Sequence, residues 1–378
     1  MPDRECQAEP ITAAEFARLM VAFDVKPAER VAVAVSGGGD SLALTLLLAD
    51  WAAARDCRVV DLTVDHGLRA ASKTEAKQVG AWLSDAGVEH HILNWRGGTA
   101  DMAGLQARAR DARYDLMAGW CRAHGVRQVF VAHHLGDQAE TFVMRLKRSS
   151  TLFGLAAMAS KREQDGISLC RPLLAVPKAR LIATLKLRAQ AWVEDPSNIN
   201  GAFERVRTRA LIAALHGEGV TPERLAAAAR AAGRVTEILD RAASAFEAAA
   251  VAPRLNHGVN GGIEVDRAAF QALHQALRER VLSRLLKGLG GQAYAPSPAK
   301  LERLALWMEE DFAGDRARTL GGCVVRRADS VFTIVPETPR KLSQQVIMPG
   351  FFACAPLPRA GKRLTSQALG EALAHTKC

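Results

Sequence analysis

The chain has 378 residues, 49% of them hydrophobic, with 50 Lys and Arg against 40 Asp and Glu and a formal net charge of +10. That length allows two or three domains, and the basic balance suits a polyanionic partner, with nucleic acid favoured over a membrane surface. No apolar run is long enough to span a bilayer, and the first residues carry Asp3, Glu5, Glu9 and Glu15 rather than an apolar core, so a cytoplasmic protein is expected.

In chain order, Ile11 to about Ala22 is amphipathic and leads into Val31 to Ser41, V-A-V-A-V-S-G-G-G-D-S. Small and β-branched residues, three glycines and then the good helix formers from Leu42 to Ala49 spell strand, tight loop and helix. Strands are expected at Cys57 to Val64, Glu89 to Trp95 and Arg127 to Ala132. Helices are expected at Ala71 to Ala86, Met102 to His124 and Asp137 to Lys147. This alternation predicts an α/β fold with a doubly wound parallel sheet, and ligands in such sheets bind where the loops at Ser36, Asp65 and His133 would converge. Asp195 to Arg209 is polar and basic and reads as irregular. Thr221-Pro222 then opens an Ala-rich helix to about Val251. A mainly helical region follows, with a short strand at Ile263 to Val265, helices at Arg267 to Lys287 and Ala299 to Phe312, and a hairpin through Leu320 to Val335. Residues 1–216, 217–337 and 338–378 are thus read as a nucleotide-binding catalytic domain, a helical domain and a basic extension.

The glycine loop is an anion cradle. Gly37, Gly38 and Gly39 let the main chain approach a ligand, Ser36 and Ser41 add hydroxyls, and the helix start offers unpaired N–H groups. It is not a Walker A loop, because the only Gly-Lys pair, Gly361-Lys362, is followed by Arg363. Nor is it a dinucleotide fingerprint, which would want glycine at Leu42. The spelling S-G-G-G-D-S resembles the pyrophosphate loop of enzymes that cleave ATP to AMP and pyrophosphate.

Other clusters are ambiguous singly. T-V-D-H-G-L-R at Thr63 to Arg69 could line a base and ribose or be a turn. Q-A-R-A-R-D-A-R-Y at Gln106 to Tyr114 places Arg110 and Arg113 on one helix face. A-H-H-L-G-D-Q-A-E-T at Ala132 to Thr141 gathers imidazoles with Asp137 and Glu140, three apart on a starting helix. W-V-E-D-P-S-N at Trp192 to Asn198 is at least an Asp-Pro turn. Arg205, Arg207 and Arg209 alternate, which in an irregular segment would make a phosphate-binding row. The seven cysteines, at 6, 57, 121, 170, 323, 354 and 378, show no metal spacing and read as free thiols.

Jointly and in this order, S-G-G-G-D-S, V-D-H-G-L-R, A-R-Y, H-H-x-x-D-Q-x-E-T, R-P-L-L and D-P-S-N resemble the tRNA(Ile)-lysidine synthetases over residues 31 to 210, and more loosely beyond. The resemblance implies ATP and Mg2+, free L-lysine, and an isoleucine tRNA with a CAU anticodon whose wobble cytidine is adenylated and then receives the lysine ε-amine at C2. It implies ATP binding at Ser36, Gly37, Gly38, Gly39, Asp40, Ser41 and Asp65, with Asp40 near the magnesium. Arg113 would stabilise phosphate charge, and Asp137 and Glu140 would hold the lysine ammonium groups. His133 or one of those carboxylates would take the proton. Arg148, Arg205, Arg207 and Arg209 would meet the tRNA, and Arg and Lys faces of the second domain would grip its stem. The sequence departs from the family at Gly136, where an acid is usual, at Arg148-Ser149-Ser150-Thr151, where glycines are usual, and at Val206. The alternatives are a tRNA thiolase of the same group, for which the cysteines are too scattered, an ammonia-using synthetase, and a catalytically silent tRNA-binding relative.

Overall fold

The computed structural model describes residues 8–67, 72–95, 105–148, 151–194, 204–254, 261–292, 295–310 and 317–337. Ser149, Ser150, the D-P-S-N string at 195–198 and the basic extension at 338–378 lie outside them. The chain divides into two compact units, Met1–Gly233 and Arg234–Cys378.

The first unit opens with α1 (Ala13–Met20), capped by the Thr12 hydroxyl, and β1 (Arg30–Val35). Then α2 (Gly39–Ala53), β2 (Arg58–Asp65), α3 (Ser72–Asp85), β3 (Glu89–Asn94) and α4 (Leu105–Ala123) alternate as the hydrophobic pattern requires. They are followed by β4 (Gln128–Phe130), α5 (Leu135–Lys147), the single turn α6 (Leu152–Leu155), β5 (Lys161–Gln164), β6 (Ile167–Cys170), α7 (Lys178–Leu187) and α8 (Glu204–Ala214). The six strands form one sheet in the order β3-β2-β1-β4-β6-β5, parallel except for the edge pair β5 and β6. The short strands β5 and β6 and the helix α7 have no counterpart in the sequence reading. With only four residues each, the two strands offer too little periodicity to separate them from a loop.

Both faces of the sheet are covered. Val31, Val33 and Val35 pack with α2, Phe16, Leu181 and Leu185, whereas Ala32, Val60 and Leu62 pack with Met117 and Cys121 of α4. Helix α2 is apolar around its whole circumference, from Leu42 to Leu48, as expected of a helix enclosed by protein on every side. Strand order reverses between β1 and β4, so the loops that leave these two strands open a crevice at the sheet's carboxyl edge.

The long helix α9 (Pro222–Ala250) begins in the first unit and ends in the second. There β7 (Val251–Arg254), β8 (Gly262–Asp266), α10 (Arg267–Gln271), α11 (Gln275–Gly290), α12 (Pro298–Glu309), β9 (Ala317–Leu320), β10 (Cys323–Arg327) and β11 (Val331–Pro336) follow. The strands make an antiparallel sheet ordered β7-β8-β11-β10-β9, more extensive than the short strand and hairpin expected. Phe246, Phe270, Val281, Leu282, Met308, Phe332 and Ile334 form its core.

Candidate active site

The loop after β1 is shaped by its own hydroxyls. Ser41 Oγ donates to the Gly38 carbonyl at 2.9 Å and accepts from the Ser36 amide at 3.2 Å, closing a tight turn. Gly37 has φ +81°, and a Cβ there would lie 2.9 Å from Val79 Cγ2, so both backbone and space demand glycine. Gly38 caps α2 without any side-chain hydrogen bond, which leaves the first amides of a buried 15-residue helix directed at the loop.

A cavity of about 210 Å³ adjoins this loop, lined among others by Ser36, Asp40, Ser41, Arg110, Arg113, Tyr114 and His133. Asp65 does not line it, and its Oδ1 accepts from the Gly67 amide at 2.9 Å to hold the turn after β2. Arg113 is drawn below its ordinary pKa by burial. Its Nε and Nη2 lie 3.3 and 3.0 Å from His66 Nε2. His66 and Tyr114 sit inside the V-D-H-G-L-R and A-R-Y strings, but nothing in the spacing of those strings points to their roles.

The start of α5 is more crowded than its sequence suggests. The His134 ring folds over the helix end, with Nδ1 accepting from the Gly136 amide at 3.0 Å, while Asp137 Oδ2 accepts from the His134 amide at 2.9 Å. A Cβ at Gly136 would fall 2.8 Å from His134 Cε1, so the missing acid at this position makes room for an imidazole cap. That cap leaves Nε2 as the protonated nitrogen, 3.7 Å from both Asp40 Oδ2 and Asp137 Oδ2. Burial pushes His133 down to about 4, so its imidazole is neutral at neutral pH. Burial works against the Asp137 charge, but His134, its backbone amide and the neighbouring cations more than offset it, so this carboxyl sits below its ordinary range.

Asp195 to Arg209 was expected to be irregular, but from Glu204 it belongs to the helix α8, which packs on α5 through Ile212, Val143 and Ala139. A helix turns alternate arginines apart. Arg205 Nη1 reaches Asp137 Oδ1 at 3.5 Å and Arg209 Nε reaches Glu140 Oε1 at 2.5 Å, whereas Arg207 is exposed. Arg148 pairs with Glu204 at 2.5 Å. Both carboxylates read as ammonium ligands therefore face guanidinium groups. Sequence reasoning also passed over Lys178, whose Nζ lies 3.4 Å from Asp40 Oδ2. Its only signal was a cation directly after Pro177, at a helix start.

No group of three or more His, Cys, Asp or Glu among the described residues could hold a metal by itself. Asp40 Oδ1 is nonetheless buried without a partner at the mouth of the loop, which fits a cation that arrives with phosphate and needs only one or two protein carboxylates.

Comparison with known proteins shows the family. The model of the PP-loop domain family matches residues 9–215. A tRNA(Ile)-lysidine synthase of Bradyrhizobium diazoefficiens is 38% identical over 351 residues, covering 88% of this chain and 96% of that protein. The tRNA(Ile)-lysidine synthase of Rhodopseudomonas palustris is 39% identical over 346 residues, covering 88% and 97%. Among solved structures, a U34-tRNA thiolase from Methanococcus maripaludis has the same fold, with a TM-score of 0.51 at 17% identity over 60% of this chain and 78% of that one. The chain belongs to the tRNA(Ile)-lysidine synthase family of PP-loop enzymes.

Proposed function

We propose that the protein ligates L-lysine to C2 of the wobble cytidine of a CAU-anticodon isoleucine tRNA, through an adenylated cytidine, and so changes its codon reading from AUG to AUA. The observation that carries this reading is that an anion cradle after β1 and a pair of buried carboxylates on α5, the helix after β4, flank the same crevice at the sheet's carboxyl edge. One suits a nucleotide triphosphate, the other a substrate with ammonium groups.

In the first half-reaction, O2 of the cytidine attacks the α-phosphorus of ATP and pyrophosphate leaves. The amides at the start of α2, with Ser36 and Ser41, hold the departing phosphates, and Lys178 adds a cation at the edge of a loop that contains none. Magnesium would be held at Asp40 and would offset the charge on the pyrophosphate. Arg113, in the cavity wall, meets charge that develops on the α-phosphate. In the second half-reaction, the lysine ε-amine attacks C2, AMP departs with the bonding electrons, and the nitrogen loses a proton. Asp137 and Glu140 hold the ammonium groups of the incoming lysine, taking the place of contacts now made by Arg205 and Arg209. The ε-ammonium gives up one proton before it attacks, with His133, Asp137 or Glu140 as the candidate acceptor, and a second, now acidic, proton leaves the nitrogen as the C–N bond forms. Arg205, Arg207, Arg209 and Arg148, once released, are at hand for the tRNA backbone.

Of the cysteines among the described residues, Cys121, Cys170 and Cys323 are poor sulfur carriers, because burial raises the first two thiols to about 12 and the third to about 11. Incubating the full chain with ATP, radiolabelled lysine and total tRNA tests the proposal. Label is expected in a single tRNA species, and pyrophosphate release without label transfer would overturn it.

A further inference from the structure

The way Arg113 is held separates it from the arginines around α5. Arg205, Arg209 and Arg148 each face a carboxylate. Arg113, which lines the nucleotide cavity, has His66 as its polar partner among the described residues. A guanidinium carries five donors and no acceptor, so the nitrogen it contacts has to accept. His66 Nε2 is therefore unprotonated, the proton sits on Nδ1, and the imidazole is neutral. The edge of Trp95 closes on the same ring, with centroids 5.8 Å apart at 80°.

A carboxylate in place of His66 would hold Arg113 more tightly but would cancel its charge and present a negative group to the incoming phosphate. A neutral acceptor orients the guanidinium without neutralising it. We propose that His66 is a positioning residue that fixes Arg113 while reserving its positive charge for the α-phosphate of the nucleotide. This deepens the reading of Arg113 given above and rests on it.

The arrangement has a built-in pH dependence. Three groups face His66: Asp65 from the end of β2, Arg113 from α4 and Trp95 from the segment after β3. Burial and the Arg113 charge keep the imidazole below its ordinary value, against the pull of Asp65. Protonation removes the acceptor and sets two cations against each other. Adenylation should therefore be intact at neutral pH and fall as His66 takes up a proton.

The test is pyrophosphate release from ATP and tRNA in the absence of lysine, from about pH 5 to 8, with melting curves to show that each variant is folded. The wild-type rate should fall about tenfold per pH unit below the His66 pKa. His66→Gln, whose amide oxygen accepts but does not titrate, should stay within about threefold of wild type at pH 8 and lose that acid limb. His66→Asp should be slowed at least about tenfold at pH 8, because Arg113 is then neutralised. His66→Ala should slow the wild type but add nothing to Arg113→Ala, since the two act as one unit. An unchanged acid limb in His66→Gln would overturn the proposal. So would His66→Asp as fast as His66→Gln, or an equal cost of His66→Ala with and without Arg113. Should the wild type release no pyrophosphate, the reaction proposed above is what fails. The same variants are then compared for ATP affinity across pH, where an unchanged profile in His66→Gln would overturn the role of His66.

Discussion

The two halves of the crevice are prepared differently for their ligands. On the β1 side, the start of α2 has no side-chain cap and its loop contains no cation, so a row of backbone donors waits for an anion. On the α5 side, Asp137 and Glu140 already have guanidinium partners from α8. The phosphate half is thus open, and the ammonium half is closed on itself until something exchanges with Arg205 and Arg209. The difference follows from cost. Unpaired amides at a helix start are hydrated cheaply, whereas Glu140, with its side chain 4% exposed, would be expensive to leave as a lone charge.

The largest effect should come from breaking the open half. Asp40→Asn and Ser36→Ala are expected to lower adenylation on the order of 100-fold while tRNA affinity changes little, because the loop handles the nucleotide and basic surfaces handle the RNA. Pyrophosphate release and filter binding measured on the same variants check this. An equal loss in both assays would erase the division between the halves.

On the closed half, Asp137→Asn should raise the lysine requirement about 10- to 100-fold, the loss of a charge-assisted hydrogen bond of about 1.5 to 3 kcal/mol, with a much smaller change for ATP. The fold should tolerate it, since asparagine can still accept from the His134 amide that Asp137 now caps. If pyrophosphate release without lysine fell as far as the complete reaction, Asp137 would belong to the phosphate half instead.

Arg209→Ala leaves Glu140 buried without its partner. A loss of about 1 to 2 kcal/mol is expected, less than for a fully buried pair because Arg209 is itself 46% exposed. Denaturant titration should show the loss vanishing in a Glu140→Gln background. Saturating lysine should stabilise Arg209→Ala more than wild type, and equal stabilisation of both would argue against exchange between arginine and lysine.

The smallest effect concerns the scaffold behind the open half. Arg180 of α7 grips Glu15 of α1 through two hydrogen bonds of 2.5 and 2.7 Å and holds its carboxyl below the ordinary range. A depressed carboxyl stabilises the fold above its unfolded pKa, and this contribution is lost as pH falls through the folded value. Arg180→Ala should cost about 1 kcal/mol more at pH 7 than near pH 2, where only its bonds to the Glu9 and Pro10 carbonyls are lost, read from urea midpoints at the two pH values. An equal cost at both pH values would assign the effect to those carbonyl bonds and to packing.

The residues that do chemistry through the main chain were legible early. The turn at Gly37 and the strand before it are local events, dictated by φ preference and by an unbroken apolar run, so V-A-V-A-V-S-G-G-G-D-S could be read without knowing its neighbours. The alternation of strands and helices through Lys147 was equally local, and it forecast a crevice where the loops at Ser36, Asp65 and His133 converge, of which Ser36 and His133 line the cavity and Asp65 does not. The short strands β5 and β6, the helix α7 and the helical state of Glu204–Ala214 were not legible, because each is stabilised by the surfaces it packs on more than by its own periodicity.

Charge partners depended most on tertiary structure. Sequence distinguished Arg113, Asp137, Glu140 and Arg205 as residue types suited to the chemistry. It contained nothing to say that Arg113 lies against His66, 47 positions away, or that Arg209 lies against Glu140, 69 positions away. Hydrogen bonding and ion pairing act over a few ångströms, and only the folded sheet, by setting the ends of β1, β2 and β4 beside one another, decides which charges stand free for a ligand and which are already matched.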